Sequence, residues 1–390
     1  MQLLQGNSLE ILKTLKDNSI DAVVTDPPYE LGFMGKSWDS TGIANNVEMW
    51  REVLRVLKPG GYLLSFGGTR TYHRMASAIE DAGFEVRDMI EWVYSTGFPK
   101  SLNIGKVTDK FLKTGNASWN GTGDSSNGAL GYSKLQHKQD YRPEDYSNRH
   151  QNKEDITEEQ AKQWEGWGTA LKPAHEPICM ARKPLAEKTV VENVLEYGTG
   201  GINIDGSRVE AHDGNTTARK RAEVKDTSAP FGKGYEMGGN GSELGRFPAN
   251  LIHDNSEEVR ECFPETKSGS HKAGQPRNAE SKTSYVLNNV TTFTDEGSSG
   301  NASRFFKSII YQAKASKKDR GTGNTHATVK PTALMEYLIN MVSREGATIL
   351  DPFMGSGTTG VAAKKLGRNF VGIEREQEYI EIAKTRINNA

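Results

Sequence analysis

The stretch TILDPFMGSGTTG, residues 348–360, decides the fold of this chain. It begins with the short apolar run 348–350, which predicts a buried strand, and passes through a glycine-rich turn into a helix predicted over 360–366. A second predicted strand, 369–373, follows that helix and ends on Glu374. A strand, a glycine turn, a helix and a strand in this order predict a parallel α/β unit.

The glycine turn also predicts a nucleotide-type ligand site. Gly355, Gly357 and Gly360 fit the G-x-G-x-x-G spacing, in which small residues let a ligand approach the backbone at a helix N-terminus. A Walker A loop is excluded because no Lys precedes Thr358. Glu374, at the end of the next strand, is placed to accept hydrogen bonds from both hydroxyls of a ribose. These features fit NAD and S-adenosylmethionine about equally.

A second motif, Asp26-Pro27-Pro28-Tyr29, follows the buried run IDAVVT at residues 20–25. An exocyclic amino nitrogen is a poor nucleophile because its lone pair is delocalised into the ring. Hydrogen-bond acceptors such as Asp26 and the Pro27 carbonyl would restore electron density and stabilise the positive charge that develops as a methyl group arrives. Tyr29 offers a flat face on which an extruded base could stack. An ordinary proline-stopped turn is the alternative, but Tyr29 and the preceding strand favour the catalytic interpretation, and with it S-adenosylmethionine.

Helices and strands are predicted at both ends of the chain, and the middle is polar. The predicted strands are 20–25, 62–66, 85–94, 176–181, 348–350 and 369–373, and the predicted helices are 9–15, 49–57, 75–82, 333–342 and 360–366. Glycine or proline stops separate them, among them the turn KPGG at 58–61. Segments 115–151, 208–245 and 266–300 are rich in Gly, Ser and Asn, which predicts long mobile loops.

Together the two motifs resemble those of the β-class DNA amino-methyltransferases, which modify adenine N6 or cytosine N4 and carry the catalytic motif ahead of the cofactor motif. The resemblance implies an α/β, doubly wound, mostly parallel seven-stranded methyltransferase sheet with an antiparallel hairpin and an inserted recognition region. It also implies that strands 22–25 and 348–350 are neighbours at the topological switch point, with 1–4 as a further strand of the cofactor half.

The same resemblance implies a division of the chain. The catalytic half of the core would span 1–100, a mobile insertion in the hairpin 101–170, the returning core strand 171–182, the target-recognition region 183–311 and the cofactor-binding half 312–390.

The resemblance further assigns roles to individual residues. The catalytic residues are Asp26, Pro27, Pro28 and Tyr29. The cofactor-binding residues are Asn7, Asp26, Thr328, Lys330, Asp351, Phe353, Gly355, Ser356, Gly357, Thr358 and Glu374. Two positions depart from the usual pattern: Asn7, where Asp is more common, and Ala327 in the segment HATVKP, where Pro is usual.

A basic stretch beside the cofactor motif predicts contacts with nucleic-acid phosphates. Residues 304–330 carry seven Lys or Arg against one acid. The candidate DNA-binding residues are Arg304, Lys307, Lys314, Lys317, Lys318 and Arg320. A solvated basic loop is the alternative. Trp92, Tyr94 and Phe98 lie where members of the family contact the target base, although aromatic packing within the hairpin would explain them equally well.

Composition excludes several other classes of protein. The chain has 49 basic and 50 acidic residues, so its overall charge does not predict a polyanion partner. Cys179 and Cys262 lie far apart without neighbouring ligands, which predicts reduced thiols and no metal site. Without a signal sequence or an apolar run of transmembrane length, we expect a cytoplasmic protein without a membrane partner.

The sequence therefore predicts a DNA methyltransferase that uses S-adenosylmethionine and acts on a flipped-out base of double-stranded DNA. Adenine N6 is preferred because Asp at the first catalytic position is more often found with adenine, and cytosine N4 is the alternative. A C5-cytosine mechanism would need a Pro-Cys nucleophile, which neither cysteine provides. An RNA or protein-amide methyltransferase, or a DNA-binding protein that has lost catalysis, is less favoured. A homodimer and a cognate restriction nuclease are left open as partners.

Overall fold

A computed structural model describes residues 1–31, 41–97, 101–114, 158–210, 245–267, 299–309, 320, 323–326 and 328–390 of the chain. The chain divides into two compact units. The first comprises Met1–Trp92, Thr96–Gly201 and Gln312–Ala390, and the second comprises Val93–Ser95 and Ile202–Tyr311. The predicted recognition region includes residues 183–201, which lie in the first unit. The loops predicted to be mobile lie almost entirely outside the described residues.

The strands of the main sheet are β1 (Gln2–Gln5), β2 (Ile20–Thr25), β3 (Leu57–Phe66), β4 (Glu85–Val93), β5 (His175–Arg182), β6 (Leu251–His253), β9 (Lys307–Ser308), β10 (Thr348–Asp351) and β11 (Asn369–Glu374). Their order is β1-β11-β10-β2-β3-β5-β4-β6-β9. Pairing is parallel from β1 to β3, and β5 is antiparallel to β3. Two further strands, β7 (Glu265–Lys267) and β8 (Ser299–Asn301), form a separate antiparallel pair.

The described helices are α1 (Ser8–Leu12), α2 (Val47–Val56), α3 (Tyr72–Asp81), α4 (Ile104–Thr114), α5 (Glu158–Lys162), α6 (Val190–Tyr197), α7 (Glu257–Arg260), α8 (Thr332–Val342), α9 (Thr358–Lys365) and α10 (Gln377–Asn388). On α2, the side chains of Met49, Trp50, Val53 and Val56 are fully buried and join the core beside the sheet. In the part of the chain that the structure describes, no helix has both the length and the apolar character needed to cross a bilayer.

The α/β class and the mainly parallel sheet are confirmed, but the predicted strand number of seven is wrong, because the described residues form a main sheet of nine strands. The additional strands, β6 and β9, belong to the second unit and have three and two residues. The sequence predicts short ordered pieces at 245–253 and 304–313, which contain these two strands. Strands of two or three residues carry too little alternation of polar and apolar residues for their place in the sheet to be predicted.

The predicted KPGG turn at 58–61 is also wrong, since these residues lie within β3. The strand accommodates them with a register shift opposite Ile20 and Ala22 and with Gly60 at φ +77°. The Pro59 carbonyl accepts hydrogen bonds from Asn193 Nδ2 at 2.9 Å and Thr199 Oγ1 at 2.6 Å. A segment that is distant in the sequence thus supplies hydrogen bonds to an irregular part of the strand, whose local sequence is typical of a turn.

Candidate active site

The two sequence motifs meet because their strands are neighbours. β2 and β10 pair in parallel, with Ala22 opposite Ile349 and Val23 opposite Leu350, as the sequence analysis predicted. The carboxyl ends of parallel neighbours open at the same edge of a sheet, where ligands bind in folds of this type. This edge therefore carries both the Asp26 loop and the glycine turn.

Asp26 is held on one side only. Its Oδ2 accepts a hydrogen bond of 2.6 Å from Lys330 Nζ. Its Oδ1 is buried and has no hydrogen-bond partner among the described residues. A buried acceptor without a donor is costly unless a ligand or solvent completes it. Oδ1 is therefore an acceptor available to a ligand that enters this site.

Lys330 connects three groups of the site. Besides Asp26, its ammonium lies 3.2 Å from Glu176 Oε2 and 3.2 Å from the Tyr29 hydroxyl. It also lies 4.8 Å from the ring centroid of Phe66, within cation–π range. Burial lowers the pKa of Lys330, but the two carboxylates outweigh burial and leave this pKa above its usual value. Lys330 is therefore protonated at neutral pH.

Tyr29 is fixed at both ends. Its carbonyl accepts a hydrogen bond of 2.7 Å from Thr71 Oγ1, just before α3. Its hydroxyl donates to Glu176 Oε2 at 3.3 Å. Gly68 permits this packing, because a Cβ there would lie 3.1 Å from a Tyr29 ring carbon. Pro27 is buried, so the loop between Asp26 and Tyr29 is anchored along its length.

Asp351 is used inside the protein. Its Oδ1 accepts from Thr25 Oγ1 at 2.7 Å and from the Phe353 amide at 3.1 Å, and its Oδ2 accepts from Thr359 Oγ1 at 2.6 Å. Burial raises the pKa of Asp351 to about 6, although these three donors lower it. Asp351 thus holds together the two strand ends and the start of α9.

Glu374 and the glycine turn are joined directly. The Gly355 amide donates to Glu374 Oε2 at 2.9 Å, and the Glu376 amide donates to Oε1 at 2.9 Å. Burial raises the pKa of Glu374. Gly355 has φ +51°, and a Cβ there would lie 2.9 Å from His326 Nε2. A side chain at 355 would therefore be both strained and in contact with His326.

A C-terminal arginine that belongs to neither sequence motif fixes the end of the turn. Arg386 Nη1 donates to Ser356 Oγ at 3.0 Å and to Thr358 Oγ1 at 3.2 Å. Asn324 Nδ2 donates to Ser356 Oγ at 3.1 Å. An arginine near the end of an amphipathic helix is usually solvated, so the sequence gives no sign of this role. Only the folded structure shows that Arg386 contacts the turn.

The other predicted cofactor residues come from three separate segments of the chain. Asn7 is the N-cap of α1 and accepts from the Leu9 amide at 3.0 Å. Phe353 meets Trp50 edge-on, with ring centroids 6.4 Å apart. Thr328 lies beside His326, its carbonyl 2.5 Å from the imidazole Nδ1. Their cofactor-binding roles stay predictions.

The predicted DNA-binding residues are distributed over both units and the undescribed part of the chain. Arg304, in the second unit, stacks over Phe305 at 4.4 Å and donates to the Asn301 carbonyl at 2.8 Å. Lys307 is half-buried in β9, and Arg320 accepts at its carbonyl from Asn324 Nδ2 at 3.0 Å. Lys314, Lys317 and Lys318 lie outside the described residues, as do Phe98 and Ala327. Trp92 is 2% exposed, which favours the interpretation of interior packing.

Metal-ligand geometry is not found in the described part of the chain: no group of three or more His, Cys, Asp or Glu side chains is arranged to hold a metal ion.

Comparison with known proteins identifies related sequences. The sequence model of a family described as DNA methylase matches residues 20–385. The type II methyltransferase M2.LlaDCHI of Lactococcus lactis subsp. cremoris is 47% identical over 79 residues, which are 20% of this chain and 29% of that protein. The type II methyltransferase M2.DpnII of Streptococcus pneumoniae is 47% identical over 78 residues, again 20% of this chain and 29% of that protein. The chain thus matches less than a third of the length of these curated relatives.

Among solved structures, the M1.HpyAVI–SAM complex is 18% identical in sequence. The match covers 99% of this chain and 98% of that one, with a TM-score of 0.42.

Proposed function

The chain belongs to the DNA methylase family of the N6-adenine/N4-cytosine type, and from this membership we propose that it transfers a methyl group from S-adenosylmethionine to adenine N6 of a flipped-out base in double-stranded DNA. The catalytic residues of the proposal are Asp26, Pro27, Pro28 and Tyr29.

One observation carries the proposal: Asp26 Oδ1 is a buried acceptor without a partner among the described residues, while Oδ2 is held by Lys330. An amino group bears two hydrogens and no charge, so it fits an acceptor that is oriented from its other side. Tyr29, fixed through its carbonyl and hydroxyl, would stack on the ring that carries this amine. Extrusion of the base is required because the amine of a paired base is not accessible inside a duplex.

The glycine turn fits the proposed cofactor. The positive φ at Gly355 would strain a residue with a side chain. The Gly355 amide donates to Glu374, whose oxygens could accept further hydrogen bonds from ribose hydroxyls. The α9 N-terminus supplies backbone N–H groups beside the turn. Residues on both sides of the turn, from Asn7 and Lys330 to Phe353 and Thr358, would complete the pocket. When bound, S-adenosylmethionine would supply an electrophilic methyl group on a positively charged sulfur.

The proposed step needs no covalent enzyme intermediate. The lone pair of the amino nitrogen would form a new nitrogen–carbon bond to the methyl group as the carbon–sulfur bond breaks. The cationic nitrogen would then lose a proton to solvent, which leaves the methylated base and S-adenosylhomocysteine. Asp26 would accept a hydrogen bond from the amine and stabilise the positive charge on nitrogen. Most of the rate enhancement would come from positioning and electrostatics.

Adenine is preferred over cytosine for one reason, which is the resemblance of the Asp-Pro-Pro-Tyr motif to that of adenine enzymes. Cytosine N4 bears the same kind of amine, so the same chemistry would serve it. The basic residues between 304 and 320 would bind duplex DNA through its phosphates. Such contacts make the affinity for DNA fall as the salt concentration rises.

The experiment is to incubate the purified chain with S-adenosylmethionine and mixed-sequence duplex DNA, digest the DNA to nucleosides and identify the methylated species by mass. N6-methyladenine is the expected product. Formation of N4-methylcytosine would mean that cytosine is the substrate base in place of adenine, and it would leave the proposed mechanism unchanged. If neither forms, although the cofactor binds and the DNA contains every short sequence, the proposed substrate is wrong.

A further inference from the structure

Glu176 is a carboxylate of the site that neither sequence motif contains. It lies at the start of β5, which runs antiparallel to β3 with Ile178 opposite Phe66. The amino end of an antiparallel strand opens at the edge where its parallel neighbours end. Glu176 therefore reaches the same edge as Asp26, and its side chain is 22% exposed.

Without Glu176, Asp26 and Lys330 would form a neutral pair at this edge. Lys330 lies 2.6 Å from Asp26, so the ammonium cancels most of the field of the only carboxylate in the catalytic motif. A neutral pair would give little stabilisation to a sulfonium or to a nitrogen that becomes positive. The carboxylate of Glu176, 3.2 Å from the same ammonium, makes the cluster negative again.

We infer that Glu176 is a positioning residue for methyl transfer: its charge balances the Lys330 ammonium, so that Asp26 is held in place by Lys330 while the site keeps a net negative charge. This inference rests on the proposed function. Glu176 also accepts the hydrogen bond of the Tyr29 hydroxyl at 3.3 Å, so that it contributes to the orientation of the ring. Glu176 acts through Lys330 and Tyr29 and has no direct role in the transfer.

Two natural ligands separate a charge effect from a structural one. S-adenosylmethionine carries a positive sulfur, whereas S-adenosylhomocysteine has a neutral sulfur and is otherwise the same molecule without the methyl group. A negative cluster near the sulfur should therefore favour the first ligand over the second. Glu176→Gln keeps the size and an acceptor oxygen of the side chain and removes only its charge.

The experiment is a calorimetric titration of the full chain with each ligand. For Glu176→Gln we expect about a tenfold loss of affinity for S-adenosylmethionine, because the variant lacks the Coulomb attraction between the carboxylate and the positive sulfur, and less than about a twofold change for S-adenosylhomocysteine. Glu176→Asp keeps the charge and should keep the preference. Glu381→Gln is the matched control, because that exposed carboxylate pairs with Lys384 on the surface.

Each result decides between the alternatives. Equal weakening of both ligands by Glu176→Gln would make Glu176 a structural residue and overturn the inference, as would unchanged affinity for both. If the unmodified chain binds neither ligand, the proposed function itself fails. A single-turnover assay at saturating cofactor adds a second measure: the transfer rate should fall in Glu176→Gln and recover in Glu176→Asp.

Discussion

Thr25 and Asp351, 326 positions apart in the sequence, are joined by a hydrogen bond of 2.7 Å from the Thr25 hydroxyl to the Asp351 carboxylate. Thr25 is fully buried and directly precedes Asp26, and Asp351 ends β10 at the entrance to the glycine turn. The bond therefore fixes the Asp26 loop relative to the proposed cofactor site.

Thr25→Val should destabilise the protein by about 1–3 kcal/mol, because it leaves a buried carboxylate without one of its donors while keeping the shape of the side chain. The free energy of unfolding in urea measures this cost. Thr25→Ser, which keeps the hydroxyl, should lose less. Equal stability of the Val and Ser variants would show that the hydrogen bond contributes nothing.

The Asp351 carboxyl predicts a specific dependence of stability on pH. Burial raises its pKa from 3.8 to about 6, so between these values the folded chain binds a proton that the unfolded chain releases. Its contribution to the free energy of unfolding is therefore largest below about pH 4 and falls by about 3 kcal/mol as the pH rises through 6, at about 1.4 kcal/mol per pH unit.

Urea unfolding of the unmodified chain and of Asp351→Asn at several pH values between about 4 and 7 tests this dependence. The difference in stability between the two proteins should change across that interval, because the amide does not titrate. A constant difference would mean that the pKa of Asp351 is not raised.

Asp26→Ala should reduce methyl transfer by at least about 10³-fold, since it removes the acceptor for the amine and the charge that stabilises the cationic nitrogen. Affinity for S-adenosylhomocysteine, whose neutral sulfur does not sense the lost charge, should stay within about threefold. Transfer is measured by incorporation of a labelled methyl group into DNA. Substantial residual turnover would remove Asp26 from the proposed catalytic role.

Glu374→Ala should weaken the binding of S-adenosylmethionine and S-adenosylhomocysteine alike, by about 10–100-fold, because hydrogen bonds to a charged group contribute about 1.5–3 kcal/mol. It also removes the acceptor of the Gly355 amide. Isothermal titration measures both affinities. Glu376→Gln, an exposed neighbour paired with Arg375, is the control and should leave them unchanged; equal behaviour of the two variants would exclude Glu374 from the pocket.

Much of the core fold was predictable because each element has a local signature. Residues 20–25 form a strand with the predicted bounds, and all six are buried, as a parallel strand covered on both faces requires. The strand 348–351 and the helix that begins at Thr358 follow from an apolar run and a glycine turn. The strand number and the KPGG turn were predicted wrongly, because the partners of β6, β9 and residues 58–61 lie far away in the sequence.

Apolar periodicity and turn residues act over a few positions, so the sequence alone determined the two motifs and the strands that precede them. The resemblance to the amino-methyltransferases implied that these strands are neighbours and that the motifs meet at one edge of the sheet. Only the tertiary structure decided that Lys330 donates a hydrogen bond to Asp26, 304 positions away, and that Glu176 accepts one from Tyr29, 147 positions away. Such contacts depend on strand order, on register and on where each segment leaves its strand, and no local pattern encodes them. The charge balance of the proposed site is therefore a property of the folded chain.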